Sequence, residues 1–151
     1  MKYWLMKSEA DVYSIDELKK DRTTMWDGVR NYQARNNMRE MRKGDRVLYY
    51  HSRQTPPAVV GLANVVKEAY PDPTQFDRKS KYFDAKSNLQ DPRWWLVDVR
   101  FDRKFDTPVA LQEIKDDAKL SGMVLVNNSR LSVQPVTKAE FDRVMKLAGE
   151  T

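Results

Sequence analysis

Short runs of apolar and aromatic residues, separated by charged and turn-forming residues, predict that this chain is built on a β-sheet. One run alternates strictly, so that Trp95, Val97 and Val99 would share one face of a half-buried strand. The last run contains Pro135, which donates no backbone hydrogen bond, and we expect it at a sheet edge. The predicted strands are residues 2–7, 46–51, 59–66, 94–101 and 131–136.

Helix-capping signals lie between these runs. At residues 14–17 and 137–140, a Ser or Thr is followed three positions later by Glu, and this capping box predicts two helices. The pair Thr107 and Pro108 has the residue types that favour a helix start, so a third helix is expected from there to about residue 117.

A fourth helix is predicted over residues 32–43, with Asn31 as its N-cap and Gly44 just beyond its end. Two stripes run along it at the i, i+4, i+7 spacing of a single helix face. The apolar stripe would face the core, and the basic stripe beside it could face a polyanion. The apolar stripe is Ala34, Met38 and Met41, and the basic stripe is Arg35, Arg39 and Arg42.

Strands and short helices in this irregular order do not form a βαβ repeat, so a doubly wound parallel sheet is not expected. The pattern favours an α+β fold near a small mixed β-barrel. The length of 151 residues fits one domain over residues 1–151. Residues 71–92 are polar but contain aromatic side chains, which indicates a docked loop rather than a linker.

Several kinds of catalytic and metal site are excluded by composition. The chain has no cysteine, which excludes disulfides, zinc–thiolate sites and a cysteine nucleophile. The single histidine, His51, precedes Ser52, and neighbours on a strand point to opposite faces, so they make a poor catalytic pair. The five glycines are scattered, and no carboxylate cluster has metal-ligand spacing. We therefore expect no cofactor, no metal and no catalytic residue.

Hydropathy gives no sign of a membrane-spanning or secreted protein. No apolar run approaches the roughly 18 residues of a membrane span, and the N-terminal run is too short for a signal peptide. We expect a soluble, cytoplasmic, monomeric protein without a membrane partner.

The net charge of +5 is concentrated in one part of the chain. Residues 19–46 contain nine Lys and Arg against four Asp and Glu, whereas the rest of the chain is balanced. A local basic excess is typical of a phosphate-binding surface. A solvated basic face without a partner is the alternative, and charge alone does not separate the two.

The sequence WDGVRN at residues 26–31 lies inside this basic block. Trp26 could stack on a nucleobase, an interaction worth on the order of 1–3 kcal/mol per base. Asp27 and Asn31 offer a carboxylate and an amide that could read the hydrogen-bonding edge of the base. The simpler interpretation is a core tryptophan beside an ordinary Asp-Gly turn.

Five motifs together resemble the EVE domain family over nearly the whole chain. The resemblance implies a PUA-like fold, a small β-barrel of about five to six strands with flanking helices, related to YTH and ASCH domains. It also implies binding of nucleic acid, DNA or RNA, through a pocket that accepts a modified, cytosine-derived base out of the stack. The motifs are residues 4–9, 26–36, 50–52, 66–72 and 130–135.

Carried over residue by residue, the resemblance predicts a base pocket, whereas the phosphate contacts are expected from the basic block and the spacing of its arginines. Ala10 replaces the usual proline of the first motif, and Ala58 replaces a usual glycine, which puts the shape of two loops in doubt. The expected pocket residues are Lys7, Ser8, Trp26, Asp27, Asn31, Tyr50, His51, Ser52, Arg130 and Ser132, and the expected phosphate-binding residues are Arg30, Arg35, Arg39 and Arg42.

Two rival functions remain. Some ASCH-type relatives are amidohydrolases that act on acylated cytidine, and Lys7, Ser8 and Glu68 are the corresponding set here. A lysine base would need a lowered pKa, usually from burial. The second rival is a protein-interaction domain that keeps the fold but binds no nucleic acid.

Overall fold

The computed structural model describes residues 1–150, and these form one curved mixed sheet with short helices packed on both faces. Two 3₁₀ turns, Pro73–Phe76 and Ala118–Leu120, lie in the connections. The strands are β1 Tyr3–Ser8, β2 Thr23–Met25, β3 Arg46–His51, β4 Ala58–Pro71, β5 Trp95–Ala110 and β6 Val133–Val136. The helices are α1 Ile15–Asp21, α2 Tyr32–Glu40, α3 Leu111–Asp116, α4 Val124–Asn127 and α5 Lys138–Leu147.

The six strands lie in the order β2-β5-β4-β3-β1-β6. β1 and β3 are parallel, and every other neighbouring pair is antiparallel. Strand alternation divides the side chains between two cores: Trp4 and Met6 face α1 and α2, whereas Leu5 faces α3 to α5. The α+β fold expected from the sequence is confirmed.

Helix α2 fills the open side of the curved sheet. The edge strands β2 and β6 are not paired with each other within residues 1–150, and α2 packs against β5 on one side and β6 on the other. Asn37 Nδ2 donates to the Val133 carbonyl at 2.8 Å, and Arg35 Nη1 donates to the Arg93 carbonyl at 2.9 Å. The helix thus makes the sheet barrel-like without closing it by strand pairing.

Asp45 fixes the end of α2 against the sheet. Its buried carboxylate accepts hydrogen bonds of 3.0 Å from the Lys2 N–H, the Trp4 indole Nε1–H and the Arg42 N–H. Burial by itself would raise the pKa of Asp45, but the three donors outweigh it and the pKa is lowered. The carboxylate is therefore ionised and bonded at neutral pH.

Most elements lie where the pattern predicts them. The capping boxes of α1 and α5 and the Asn31 cap of α2 are present, and β6 is an edge strand. α2 ends at Glu40, earlier than expected, since the Arg42 N–H is bonded to Asp45.

The predicted helix start at Thr107 and Pro108 is wrong, because both residues belong to β5. Lys104 pairs with Gly61 and Val109 with Val59, so Pro108 falls in a bulge where the ladder needs no N–H from it. The helix begins instead at Leu111, after Ala110, whose N–H donates to the Glu113 carboxylate at 2.8 Å.

Asp45→Asn should lower the free energy of unfolding by about 2–3 kcal/mol, the usual worth of a buried charge-assisted hydrogen-bond set that is broken in part. Because the pKa of Asp45 is lowered in the fold, its stabilising effect is complete above the unfolded pKa and is lost as pH falls through the folded pKa. Urea unfolding at neutral and acidic pH should show the two proteins converging in acid.

Asp106→Asn is the matched control, since Asp106 is exposed and has no side-chain bond to another residue of the described chain. We expect a change within about 0.5 kcal/mol. If the difference in unfolding free energy between wild type and Asp45→Asn stayed constant with pH, the stabilising role of the ionised Asp45 carboxylate would be contradicted.

Candidate functional site

A cavity of about 580 Å³ opens where β1 ends, beside the 26–31 segment and the loop that follows β4. This volume lies in the range of small-molecule sites. Six of the ten residues expected in a base pocket line it: Lys7, Ser8, Trp26, Asp27, Asn31 and Ser132.

Trp26 belongs to both the core and the pocket. Its N–H donates to the Val97 carbonyl at 2.9 Å, and its ring lies edge-on to Tyr49, with 5.4 Å between centroids. The residue is 8% exposed. The other three tryptophans donate their indole N–H to protein oxygens, whereas the Trp26 indole donates to none of the described residues. Trp26 therefore packs as a core residue and also borders the cavity, and its stacking on a base stays a prediction.

Gly28 forms the turn that lets a second aromatic ring reach the pocket. Its φ is +81°, in the left-handed region, and a Cβ at this position would lie 2.5 Å from the Tyr82 ring. Tyr82, from the loop at residues 77–93, lines the same cavity. Glycine is thus required here both by backbone conformation and by close packing.

Asp72, at the end of β4, holds this turn in place. Its buried carboxylate accepts from the Gly28 N–H at 2.9 Å, from Arg30 Nη1 at 3.0 Å and from the Thr74 N–H at 2.8 Å. Burial opposes ionisation, but hydrogen bonds from Thr74, Gly28 and Arg30 outweigh it, and the pKa of Asp72 is lowered. Asp72 is the last residue of the fourth family motif, residues 66–72, and this position is the sequence signal, although the motif alone predicted no role for it.

Arg30 is part of the pocket wall rather than a free cation. Besides Asp72, its guanidinium donates to Thr74 Oγ1 at 3.1 Å and to the Tyr82 carbonyl at 2.8 Å. It also lies 5.4 Å from the centroid of the Trp94 ring. Its donors are occupied within the protein, so the expected phosphate contact at Arg30 is not supported by this geometry.

Asn31 is oriented by the helix that it caps. Its Oδ1 accepts the Ala34 N–H at 2.9 Å, which fixes the amide and leaves Nδ2 as a donor at the cavity. Asp27, on the same segment, offers an acceptor. Burial and the negative charge of Asp72 raise the pKa of the Asp27 carboxyl, and no protein side chain donates to it among residues 1–150.

The end of β1 supplies an amine and a hydroxyl. Lys7 donates to the Ser129 carbonyl and lies 5.4 Å from the Tyr50 ring centroid, and burial lowers the pKa of its amine. The Ser8 hydroxyl donates to the Tyr13 carbonyl at 2.7 Å. Its oxygen therefore remains available as an acceptor.

Four expected pocket residues lie outside the cavity. Tyr50 packs in the core between the sheet and helices α3 to α5, because it alternates along β3 with Tyr49, which packs in the core on the other face. Ser52 donates its N–H to the Ser8 carbonyl, which makes it a backbone support, and Arg130 is exposed.

His51, the fourth, is a structural residue. Its Nε2 accepts the Ile15 N–H at 3.1 Å and therefore carries no proton, and its Nδ1 is 2.9 Å from Gln54 Oε1. Because both ring nitrogens are engaged in a neutral imidazole, His51 holds the start of α1 and offers no free base.

The predicted arginine stripe also lies outside the cavity, and its last member, Arg42, falls beyond the end of α2. The Arg35 guanidinium stacks 4.7 Å from the Tyr32 centroid, and that of Arg39 lies 4.5 Å from the Trp95 centroid. Arg42 pairs with Glu68 at 3.4 Å in an exposed ion pair. Three cations close together in sequence therefore do not converge on the predicted base site.

Sequence reasoning missed the loop residues Lys81 and Tyr82, which line the cavity. Tyr82 had a signal, since aromatic residues in a polar loop indicate docking, but the surface on which it docks depends on Gly28. For the described residues, no group of three His, Asp or Glu could hold a metal ion, and no helix has the length and apolar character needed to cross a membrane.

The six-stranded curved sheet, with α2 packed across its open side and a cavity at the end of β1, defines a small α+β domain. The EVE domain family model matches residues 2–147, and the chain belongs to this family. Thymocyte nuclear protein 1 of Gallus gallus is 44% identical over 167 residues, covering 98% of this chain and 69% of the relative. Thymocyte nuclear protein 1 of Homo sapiens is 43% identical over 164 residues, covering 96% of this chain and 73% of the relative.

Solved structures share the fold. A hypothetical protein from Leishmania major has a TM-score of 0.95 at 48% identity, covering 99% of this chain and 96% of that one. The human THYN1 protein in complex with 5-methylcytosine-containing DNA has a TM-score of 0.94 at 41% identity, covering 100% of this chain and 99% of that one. An ASCH protein from Zymomonas mobilis shares the fold alone. Its TM-score is 0.57 at 12% identity, covering 97% of this chain and 99% of that one.

Gly28→Ala should destabilise the protein more than Gly44→Ala. Both glycines have positive φ, but a Cβ at Gly44 meets nothing within 4 Å, whereas one at Gly28 meets the Tyr82 ring. We expect the difference in unfolding free energy to be about 1–3 kcal/mol, the usual cost of overpacking.

Adding Tyr82→Ala to each glycine variant completes the comparison. Tyr82→Ala should reduce the loss of unfolding free energy caused by Gly28→Ala and leave the loss caused by Gly44→Ala unchanged. Equal losses in Gly28→Ala and Gly44→Ala would show that Tyr82 does not pack on the turn.

Proposed function

We propose that this protein binds DNA that contains a modified cytosine, and that the 580 Å³ cavity accepts the modified base. The observation that carries the proposal is the set of unpaired donors and acceptors that the 26–31 segment presents to the cavity. Similarity over the whole chain to a human protein bound to 5-methylcytosine-containing DNA supports the same ligand class.

These groups complement the edge of cytosine. Cytosine presents a donor at N4 and acceptors at N3 and O2, whereas thymine presents an acceptor at position 4. Asp27 can accept from N4, while Asn31 Nδ2 can donate to N3 or O2. A carboxylate opposite the thymine O4 would be repelled, so the arrangement favours cytosine over thymine.

Aromatic side chains supply the walls of the proposed base site. Trp26 and Tyr82 both border the cavity. Stacking on such rings contributes on the order of 1–3 kcal/mol per base. Because Tyr82 comes from a loop while Trp26 is anchored in the core, the two walls are held by different parts of the fold.

Phosphate contacts are proposed for the loop at residues 77–93. Lys81 lines the cavity, and its neighbours Arg78 and Lys79 are exposed. None of the three makes an ion pair with another residue of the described chain. Lys81 reaches the cavity itself, whereas the side chains of Arg35, Arg39 and Arg42 stack on or pair with protein groups.

We propose binding without catalysis. The hydrolase set would need Lys7, Ser8 and Glu68 together, but Glu68 accepts from the Lys43 N–H at 3.2 Å and lies outside the cavity. The Lys7 amine is engaged by the Ser129 carbonyl. This separation supports a base-binding protein rather than an amidohydrolase.

Asp27→Ala should weaken binding to a 5-methylcytosine oligonucleotide about tenfold or more, because a charge-assisted hydrogen bond is removed. The same variant should be at least as stable as wild type at neutral pH. A carboxyl whose pKa is raised by the fold opposes folding when ionised, so removing it costs no stability. Fluorescence anisotropy and thermal unfolding measure the two effects.

Asp106→Asn, on the exposed part of β5, serves again as the control and should leave affinity unchanged. Affinity of the wild type should also fall as pH is lowered through the raised pKa of Asp27. Unchanged affinity in Asp27→Ala would exclude this residue from base recognition.

Lys81→Ala should reduce the dependence of binding on salt. Each phosphate neutralised by a cation contributes about 0.9 to the slope of log affinity against log salt for duplex DNA, so the slope should drop by about one. Lys146→Ala, an exposed cation on α5, is the control and should keep the wild-type slope. An unchanged slope in Lys81→Ala would remove this loop from the phosphate-binding surface.

A further inference from the structure

Two apolar side chains stand exposed at the cavity. Val12 is 50% exposed and Met25 is 42% exposed, and both line the same cavity as Trp26. Neither belongs to either of the two hydrophobic cores. Each side chain thus has an exposed apolar part at the border of a polar cavity, where a ligand that enters the cavity can cover it.

The backbone holds both side chains in defined places. The Val12 and Tyr13 N–H groups donate to the Glu9 carbonyl at 3.0 and 2.9 Å, which forms a tight turn after β1. Met25 is the last residue of β2 and pairs with Asp98 of β5. The two residues therefore come from separate, hydrogen-bonded elements.

The turn that carries Val12 offers no free cation to a phosphate. Glu9, which also lines the cavity, pairs with Arg53 at 3.0 Å. Asp11, which directly precedes Val12, is exposed and makes no ion pair among the described residues, so no excess positive charge lies beside Val12. This part of the border suits the apolar faces of stacked bases better than the phosphate backbone.

We propose that Val12 and Met25 form an apolar wedge that enters the base stack of a DNA duplex. The inference rests on the proposed function: when the modified cytosine turns into the cavity, it leaves a gap in the stack. Unstacking costs a few kcal/mol, and apolar side chains inserted between base steps recover part of that cost in other DNA-binding proteins. The substrate class is therefore double-stranded DNA, since a single strand has no closed stack to be filled.

The test compares one 5-methylcytosine strand in two forms, single-stranded and paired with its complement. Val12→Ser combined with Met25→Ser should weaken binding of the duplex about tenfold and binding of the single strand less than twofold. A 2-aminopurine placed beside the modified cytosine should report less unstacking in the variant. Because both residues are exposed, the variant should keep the unfolding temperature of the wild type.

Leu89→Ser is the matched control, since Leu89 is 78% exposed and lies outside the cavity. It should leave both affinities at wild-type values. Equal losses for duplex and single strand, or no loss for either, would overturn the wedge while the proposed function stands. If the wild type bound neither form better than the unmodified strand, the proposed function itself would fail.

Discussion

The site depends on one buried carboxylate. Asp72 accepts hydrogen bonds from Gly28 and Arg30, and these bonds attach the 26–31 segment to the end of β4. Burying an ion costs several kcal/mol unless its oxygens are bonded, and here donors from three residues satisfy them. Because the same carboxylate sets the turn at Gly28, it also determines where the Tyr82 ring can lie. A single ion thus connects the sheet, the turn and the loop.

Two carboxyls of the site respond to burial in opposite ways. The pKa of Asp72 is lowered because its donors outweigh burial, whereas the pKa of Asp27 is raised by burial and by the charge of Asp72. The first stabilises the fold, and the second opposes it when ionised. Unsatisfied polar groups of this kind are typical of surfaces that are completed by a ligand. The stability of the pocket and its capacity to bind are therefore supplied by different residues.

Local signals in the sequence predicted those parts that local interactions determine. The capping box at Ser14 and the Asn31 cap require a few neighbouring residues, and both are present. The spacing of Arg35, Arg39 and Arg42 and the local basic excess predicted that these arginines bind phosphate. The partners of two of them come instead from distant segments: Trp95 for Arg39 and Glu68 for Arg42. The Pro108 bulge likewise depends on pairing with β4. Long-range pairing of this kind leaves no mark in one sequence.

The packing of Tyr82 on Gly28 separates the shape of the pocket from the stability of the domain. Trp26 is fixed by the Val97 carbonyl and the Tyr49 ring, so that wall cannot change without disturbing the core. Tyr82 belongs to a surface loop outside the sheet, where substitutions are tolerated at lower cost. Substitutions in this loop can thus change the shape of the cavity without disturbing the core. The Trp26 wall of the cavity is fixed by the core, whereas the Tyr82 wall can change with the loop.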